Sequence, residues 1–168
     1  TSFFLDYIGK HEQLKKFYGR FPEVSNFNEQ IKDKADSFPK QHREVLFNAL
    51  QEQYKNYTVT DVVKNNIEEL RSDKTFTVTT GHQLNIFTGP LYFIYKIVTV
   101  INVCKQLKQA YPDYNFVPVY WMASEDHDFE EIKYFKLNGK KYTWESKQTG
   151  AVGRFNPKEF ESLLKELP

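Results

Sequence analysis

The segment at residues 76–90, FTVTTGHQLNIFTGP, constrains the fold of this chain more than any other stretch. It opens with β-branched and aromatic residues that are typical of a strand, and the strand is predicted to break at Gly81. A short mixed loop then reaches Gly89 and Pro90, a glycine acceptable as a helix cap and a proline suited to a first helical turn. A long helix is predicted to follow, from Leu91 to about residue 109. Such a helix N-terminus presents free N–H groups and a positive dipole end to an anion.

A second strand is predicted after this helix. Residues 116–123, FVPVYWMA, form a nearly continuous apolar run, which is the pattern of a strand covered on both faces. Pro118 lacks the N–H that a central position in a sheet needs, so it is expected near the start of the strand or at a sheet edge. Strand, helix and strand in this order predict a right-handed βαβ unit and therefore an α/β fold.

The patterns on either side of this unit divide the chain further. Residues 1–72 are predicted to form a helical N-terminal region, and residues 73–168 the first part of an α/β core. Within the core, a β-hairpin insertion is predicted at residues 132–144, because Asn138 followed by Gly139 is a strong signal for a type I′ turn.

Two helices of the N-terminal region have defined patterns. Thr60 is predicted to cap the later of the two helices. The buried stripe of that helix is expected to consist of Val63, Ile67 and Leu70. The helix before it covers residues 41–54. Its apolar residues at helical spacing are Val45, Leu46, Ala49 and Leu50.

Composition excludes several classes of protein. The formal net charge of +1 gives no strong field that would draw the chain to nucleic acid or to an anionic membrane surface. The mean hydropathy of −0.64 is typical of a soluble protein, and the longest apolar run is too short to span a bilayer. The single cysteine, Cys104, is expected in the core of the long helix, and it excludes an internal disulfide framework. A cytoplasmic location is therefore predicted.

The two ends of the sequence suggest an incomplete fragment of a larger protein. The chain begins at Thr1 without an initiator methionine, and it stops at Pro168 directly after a helical pattern. We therefore expect further layers of the fold to lie outside this sequence.

Two polar segments are predicted to share one rim of the sheet. In an open α/β sheet, ligands bind outside the carboxyl ends of the strands, and residues 80–89 and 124–128 both follow such ends. Lys96 lies two turns into the helix, and the sequence does not determine whether its side chain points toward this rim. The imidazole, carboxylate and amide groups expected on the rim belong to His82, Gln83, Glu125, Asp126, His127 and Asp128.

The sequence SEDHD at residues 124–128 has three interpretations. It can be a polar loop in which Asp128 caps a short turn into residues 130–132. It can be a metal site, since carboxylate and imidazole suit Zn²⁺ or Mn²⁺, but adjacent residues cannot all face one ion and no H-E-x-x-H spacing is present. No metal ligand is therefore assigned. It can also be part of a substrate and nucleotide site, which the convergence with the loop after Gly81 favours.

Two longer motifs resemble the bacillithiol biosynthesis cysteine-adding enzymes, a family of cysteine ligases. They are TTGHQLNIFTGPLY at residues 79–92 and PVYWMASEDHDFEEI at residues 118–132. The resemblance extends upstream through FYGRFP at residues 17–22 and HREVL at residues 42–46, and downstream to GAVGR at residues 150–154. It covers nearly the whole chain, and the two main motifs are specific as a pair.

The resemblance implies a considerably longer enzyme, of which this chain is the N-terminal part. It implies a Rossmann-like nucleotidyltransferase core, similar to class I aminoacyl-tRNA synthetases, and a helical coiled-coil domain through which the full-length enzyme forms a homodimer. The implied reaction joins cysteine to the amine of glucosaminyl malate and gives the thiol bacillithiol. ATP is the implied co-substrate, with Mg²⁺ to neutralise its phosphates. Because two parallel strands and a hairpin leave unpaired sheet edges, the fragment alone is expected to be inactive.

The similarity to class I synthetases also implies roles for individual residues. In that class a histidine-glycine signature at the first strand-to-helix junction holds the ATP phosphates, and a segment after the next strand lines the adenylate site. The implied catalytic residues are His82 on the phosphate side, and Asp126 and His127 beside the adenylate and its activated carboxyl. The implied substrate- and nucleotide-binding residues are Thr80, Gly81, Gln83, Gly89, Pro90, Tyr92, Lys96, Ser124, Glu125 and Asp128.

The chain departs from the class I pattern in two ways. The His-x-Gly-His signature is reduced to the pair Gly81-His82, and the lysine-rich second signature of the class is absent from this sequence. A second function therefore stays open at this point. It is a non-catalytic nucleotide- or sugar-binding module on the same fold.

Overall fold

The computed structural model describes residues Thr1–Pro168. The chain forms two compact units, each built from two segments. The first unit comprises Thr1–Thr77 and Cys104–Val117, and the second comprises Val78–Val103 and Pro118–Pro168. Helices and strands alternate in the middle of the chain, as expected for an α/β fold. None of the helices has both the length and the apolar composition that crossing a membrane requires.

The first unit contains most of the helices. Two short 3₁₀ segments, Glu12–Phe17 and Val24–Asn26, lie between the first two of them. The helices are α1 (Ser2–Ile8), α2 (Phe27–Ser37), α3 (Lys40–Tyr54) and α4 (Asp61–Glu69). The apolar core of this unit consists of Ile31, Ile67, Leu70, Cys104, Leu107 and Val117, which are all buried.

The pattern predicted for α4 is confirmed. The Thr60 hydroxyl accepts a hydrogen bond from the backbone N–H of Val63 at 3.5 Å. Ile67 and Leu70 are buried, and Val63 is half-buried. These residues recur every three or four positions, so they face the core on successive turns.

The apolar residues at helical spacing in α3 are not all turned toward the core. Val45 is 68% exposed, and Ala49 is exposed as well. Arg43 is buried instead, so a charged residue heads the inward face of this helix. The half-buried residues that share this face with it are Leu46, Phe47 and Leu50.

A βαβ unit connects the two parts of the chain. Its elements are β1 (Thr75–Gln83), α5 (Leu91–Ala110) and β2 (Asn115–Ala123), and β1 and β2 pair in parallel as a two-stranded sheet. The predicted start of α5 at Leu91 is confirmed. Because each strand of a two-stranded sheet has a free edge, Pro118 is tolerated within β2.

Two expectations about these strands are corrected. β1 does not break at Gly81 but continues to Gln83. The glycine is needed within the strand, since a Cβ atom there would lie 3.0 Å from the Trp121 backbone oxygen. β2 is not covered on both faces, because Trp121 is 60% and Met122 is 56% exposed. An apolar run predicts burial, but the elements of this chain leave the carboxyl end of β2 uncovered.

The second unit contains the predicted hairpin. A short helix α6 (Phe129–Ile132) leads into β3 (Tyr134–Leu137), which pairs antiparallel with β4 (Lys140–Thr143). Asn138 and Gly139 have φ angles of 51° and 79°. Both are positive, as a type I′ turn requires, so this prediction is confirmed.

An aromatic core holds the second unit together. Tyr142, Trp144 and Leu163 are its buried centre. The chain ends in two 3₁₀ segments, Val152–Arg154 and Pro157–Phe160, and the short helix α7 (Glu161–Leu164). The partly buried residues around the centre are Ile86, Phe129, Phe135, Phe155, Phe160 and Leu167.

Candidate functional site

His82 lies near the carboxyl end of β1 and is held by hydrogen bonds on both ring nitrogens. Its Nε2 is 2.5 Å from the Tyr92 hydroxyl, and its Nδ1 is 3.0 Å from the Gln83 carbonyl oxygen. The Asn85 amide nitrogen lies 3.2 Å from the same Nδ1. The first turn of α5, which carries Tyr92, is therefore tied to the end of β1 through an imidazole.

Lys96 bonds to the backbone of β1, whereas the side-chain oxygen of Gln83 has no hydrogen-bond partner. The Lys96 ammonium donates a hydrogen bond to the Gly81 carbonyl oxygen, which settles the direction that the sequence left open. Gln83 is buried, and its Oε1 atom has no hydrogen-bond partner. A buried amide oxygen without a partner costs free energy, so Gln83 is a candidate acceptor for a ligand group.

The loop before α5 requires glycine at position 89 and ends in a regular helix start. Gly89 has a φ of +61°, and a Cβ atom at this position would lie 2.6 Å from Asn85 Cγ, so both the angle and the close approach require glycine. Phe93 donates its N–H to the Pro90 carbonyl oxygen at 2.9 Å. The N–H groups of the two preceding helical residues have no acceptor within the helix, as at any helix start.

A groove of about 680 Å³ opens beside this loop. It is lined by residues 85–90 of the loop, residues 131–132 of α6, residues 134–137 of β3, and Leu167. Of the predicted site residues, only Gly89 and Pro90 line it. Ligand pockets commonly have volumes of roughly 300–1,000 Å³, so the groove has the size of a small-molecule site.

The segment after β2 is a tight turn stabilised by its own carboxylates. Ser124 and Glu125 form the turn, and Asp126 Oδ1 accepts a hydrogen bond from the Asp128 backbone N–H at 2.8 Å. Asp128 in turn caps α6 by accepting from the Glu131 N–H at 3.2 Å. The capping interpretation of Asp128 is therefore confirmed.

The side chains of this turn differ in exposure. Asp126 is half-buried, whereas Glu125 and His127 are exposed. The Glu125 carboxylate accepts a hydrogen bond from the Trp121 indole nitrogen at 3.3 Å. The His, Cys, Asp and Glu side chains of the chain form no group of three or more that is placed to hold a metal ion.

The loop at residues 150–154 packs on this turn, which the sequence did not indicate. The backbone N–H of Val152 donates to the Asp126 carbonyl oxygen at 2.8 Å, and that of Gly153 donates to the Ser124 carbonyl oxygen at 2.9 Å. The signal that points to this contact is the glycine pair in GAVGR, because Gly153 lies where a Cβ atom would be 2.6 Å from the Ser124 side chain and backbone. Residues 150–154 therefore belong to the candidate site.

The backbone at the ends of the two strands is in contact, but the functional side chains form two groups. The Tyr120 hydroxyl donates to the His82 carbonyl oxygen at 3.1 Å, and burial raises the pKa of Tyr120, so the phenol stays a neutral donor. Hydrogen bonds join His82 to its neighbours on β1 and α5, and Asp126 to residues 128 and 152. None links His82 or Lys96 to Asp126 or His127.

Substituting Gly153 by alanine should distort the turn that carries Asp126. The new methyl group would overlap Ser124, and overpacking of this kind costs about 1–3 kcal/mol. We expect the free energy of unfolding to fall by that amount in chemical denaturation. Gly19→Ala is the control, since a methyl group added at Gly19 would have no other atom within 4 Å. Equal stability of the two variants would show that the loop can move away from Ser124.

The fold defines a class of protein. A parallel βαβ unit with polar groups at the end of β1 and after β2, beside the N-terminus of a long helix, is a Rossmann-like α/β domain, and in such domains ligands bind outside the strand ends. The chain belongs to the BshC family of bacillithiol biosynthesis, because residues 1–168 match the family described as "Bacillithiol biosynthesis BshC, N-terminal Rossmann-like domain". The resemblance of the two motifs to this family is thereby confirmed.

Curated relatives extend over the whole chain. One from Flavobacterium psychrophilum is 52% identical over 98% of this chain and 31% of its own length, and one from Cytophaga hutchinsonii is 44% identical over 99% and 32%. A third, from Christiangramia forsetii, is 54% identical over 86% of this chain and 27% of its own length. Each carries the name "Putative cysteine ligase BshC". The chain thus spans about a third of the length of these relatives or less.

Proposed function

We propose that this chain is part of a cysteine ligase that joins cysteine to the amine of glucosaminyl malate, the last step of bacillithiol biosynthesis. The observation that carries the proposal is the family match over residues 1–168, with relatives that bear the name of a cysteine ligase. The polar groups at the end of β1 and after β2 support it, because an amide-forming enzyme must bind several polar substrates side by side.

ATP is the co-substrate on this proposal, since amide formation needs an activated carboxyl group. The N-terminus of α5 suits its phosphates, because free N–H groups and the helix dipole favour an anion there. The groove along residues 85–90 offers about 680 Å³ beside that helix start. Mg²⁺ would arrive with the phosphates, as is usual for this ion, and no dedicated cage of protein ligands is then needed.

The chemistry proposed for the chain's own residues is positioning and charge stabilisation. Asp126 uses Oδ1 for the Asp128 N–H, and its second carboxylate oxygen is available to accept from a substrate ammonium or a ribose hydroxyl. His127 is exposed and can orient the activated carboxyl or move a proton, as imidazole does near neutral pH.

The proposal extends to the whole protein. A nucleotidyltransferase core of the class I synthetase type, completed by further strands, would cover the exposed Trp121 and Met122 at the end of β2. A coiled-coil domain would make the full-length enzyme a homodimer, and the buried Cys104 suits a cytoplasmic location.

Purified full-length protein should form bacillithiol from cysteine, glucosaminyl malate and ATP, and residues 1–168 alone should not. The fragment keeps both edges of its two-stranded sheet unpaired, so its site is expected to be incomplete. Thiol formation, followed by mass spectrometry, checks both statements. Turnover by the fragment would contradict the second one.

The alternative is a nucleotide- or sugar-binding module without turnover, which the reduced Gly81-His82 signature favours. Deletion of the gene separates the two functions. A ligase predicts that bacillithiol disappears and glucosaminyl malate accumulates, whereas a binding module predicts unchanged thiol and no accumulated precursor.

A further inference from the structure

His82 has no ring nitrogen available for a ligand. Its Nε2 is 2.5 Å from the Tyr92 hydroxyl, and its Nδ1 is 3.0 Å from the Gln83 carbonyl oxygen. Both partners belong to the protein, and the Phe93 ring packs edge-on against the imidazole with centroids 6.0 Å apart. A direct contact between His82 and a phosphate would require at least one of these two bonds to break.

The direction of these bonds follows from the groups around the ring. The Gln83 carbonyl oxygen is 3.0 Å from His82 Nδ1 and 3.1 Å from Asn85 Nδ2, and a carbonyl oxygen with two lone pairs can accept from both. The Asn85 Nδ2 atom is also 3.2 Å from Nδ1, but an unprotonated Nδ1 would leave two acceptors facing each other at 3.0 Å, so we assign the hydrogen to Nδ1 and the Asn85 hydrogen to the Gln83 oxygen. In a neutral imidazole Nε2 then has a lone pair, so it accepts the hydrogen bond from the Tyr92 hydroxyl.

The Tyr92 oxygen is consequently a hydrogen-bond acceptor on an exposed side chain. Its only hydrogen is directed to His82, its own lone pairs are not used, and the side chain is 47% exposed. The Lys96 ammonium donates to the Gly81 carbonyl oxygen and lies 6.0 Å from the centre of the Tyr92 ring, and the hydrogen bond of the Tyr92 hydroxyl is with His82.

We propose that Tyr92, and not His82, is the residue at this junction that contacts substrate. The Tyr92 oxygen accepts a hydrogen bond from an amine or hydroxyl group of the ligand, and His82 is a positioning residue that fixes the direction of the phenol. The inference rests on the proposed ligase function, because the substrates of that reaction are the ligands considered. ATP, cysteine and glucosaminyl malate all carry amine or hydroxyl donors, so the experiment must also identify which of these substrates reaches Tyr92.

A double-mutant cycle in the full-length enzyme tests the proposal. Tyr92→Phe removes only the hydroxyl, and His82→Asn removes Nε2 while keeping a donor near the position of Nδ1. Because Tyr92→Phe loses a hydrogen bond to a charged or polar ligand group, it should lower kcat/KM by about 10- to 100-fold for one of ATP, cysteine or glucosaminyl malate. Because His82 acts through Tyr92, the double variant should lose no more than Tyr92→Phe alone.

Two outcomes of the cycle would overturn the proposal. If the losses of the two single variants multiply in the double variant, His82 contacts the ligand independently. If Tyr92→Phe leaves kcat/KM unchanged for all three substrates, the phenol does not contact any of them.

A spectroscopic measurement decides the point without relying on activity. In full-length protein labelled with ¹⁵N-histidine, and with His82→Asn to assign the signal, the neutral His82 ring should carry its proton on Nδ1. A proton on Nε2 would make Tyr92 a donor to the ligand and would refute the inference.

If the wild-type enzyme proves inactive, the proposed function fails. Calorimetric binding of the same three compounds to wild type and Tyr92→Phe then tests the contact itself, with weaker binding of one compound expected and equal binding of all three ruling it out.

Discussion

Replacing Arg43 by methionine should lower the free energy of unfolding by about 3 kcal/mol, because it leaves buried carbonyl oxygens without a donor. The Arg43 guanidinium donates to the carbonyl oxygens of Leu70 at 3.2 Å, Thr75 at 2.9 Å and Asp73 at 3.4 Å. It therefore joins the end of α4 to the first residue of β1. Urea denaturation followed by circular dichroism measures the loss.

The environment of Arg43 explains why the expected loss is large. The residue is 5% exposed, and the Phe38 and Phe76 rings lie 5.6 Å and 5.8 Å from its guanidinium carbon. Burial lowers the pKa of the Arg43 guanidinium, and the nearby charge of Asp73 opposes that effect. Methionine fills much of the same space and retains the apolar contacts, so the measured loss reports mainly on the hydrogen bonds.

Arg71→Met is the matched control in the same unit. Arg71 pairs with Glu44 at 3.3 Å and Glu68 at 2.9 Å, but its side chain is 45% exposed. Exposed ion pairs contribute about 0–1 kcal/mol, so this variant should lose far less stability than Arg43→Met. Similar losses in the two variants would show that the buried hydrogen bonds of Arg43 add nothing beyond those of a surface arginine.

Local patterns in the sequence predicted those parts of the fold that depend on neighbours along the chain. The Asn138-Gly139 turn and the cap at Thr60 are examples, because a positive φ or a capping oxygen acts within a few residues. The start of α5 at Leu91 belongs to the same group, since Gly89 and Pro90 mark it directly.

Contacts between distant segments could not be predicted in this way. Arg43 bonds to backbone some 30 positions away, and Gly153 packs against Ser124, so the partner of neither residue can be read from its sequence neighbours. The inward face of α3 did hold a signal, because Arg43 lies at helical spacing from Leu46, Phe47 and Leu50. Because arginine is rarely buried unless it is paired, that spacing alone does not show whether its guanidinium is buried.

The role of His82 shows the same limit within the candidate site. Its position at the carboxyl end of β1 was predicted, but its partners were not, because the Tyr92 hydroxyl reaches the imidazole only when α5 folds back beside the strand end. Polar residues in a motif indicate a site, whereas the division of work among them depends on distances that only the structure gives.

Asp126→Asn in the full-length enzyme should abolish thiol production while leaving the protein folded. Asparagine keeps an oxygen at the position of Oδ1, so the hydrogen bond from the Asp128 N–H can persist and the turn after β2 is preserved. The substitution removes the negative charge of the carboxylate. On our proposal, the second carboxylate oxygen accepts a hydrogen bond from a substrate ammonium or hydroxyl group. We expect at least roughly a hundredfold loss of thiol formation, in the range found for groups that act in the transition state.

His127→Ala tests the second member of the pair. Its side chain is exposed and makes no hydrogen bond within the chain, so its removal should not affect stability. A loss of thiol formation of at least roughly a hundredfold is expected if it orients the carboxyl or transfers a proton. Asp61→Asn and His42→Ala are the matched controls, since both residues lie exposed on helices of the first unit, and both should keep full activity. If the double variant Asp126→Asn, His127→Ala restores normal bacillithiol in a deletion strain, neither residue belongs to the functional site.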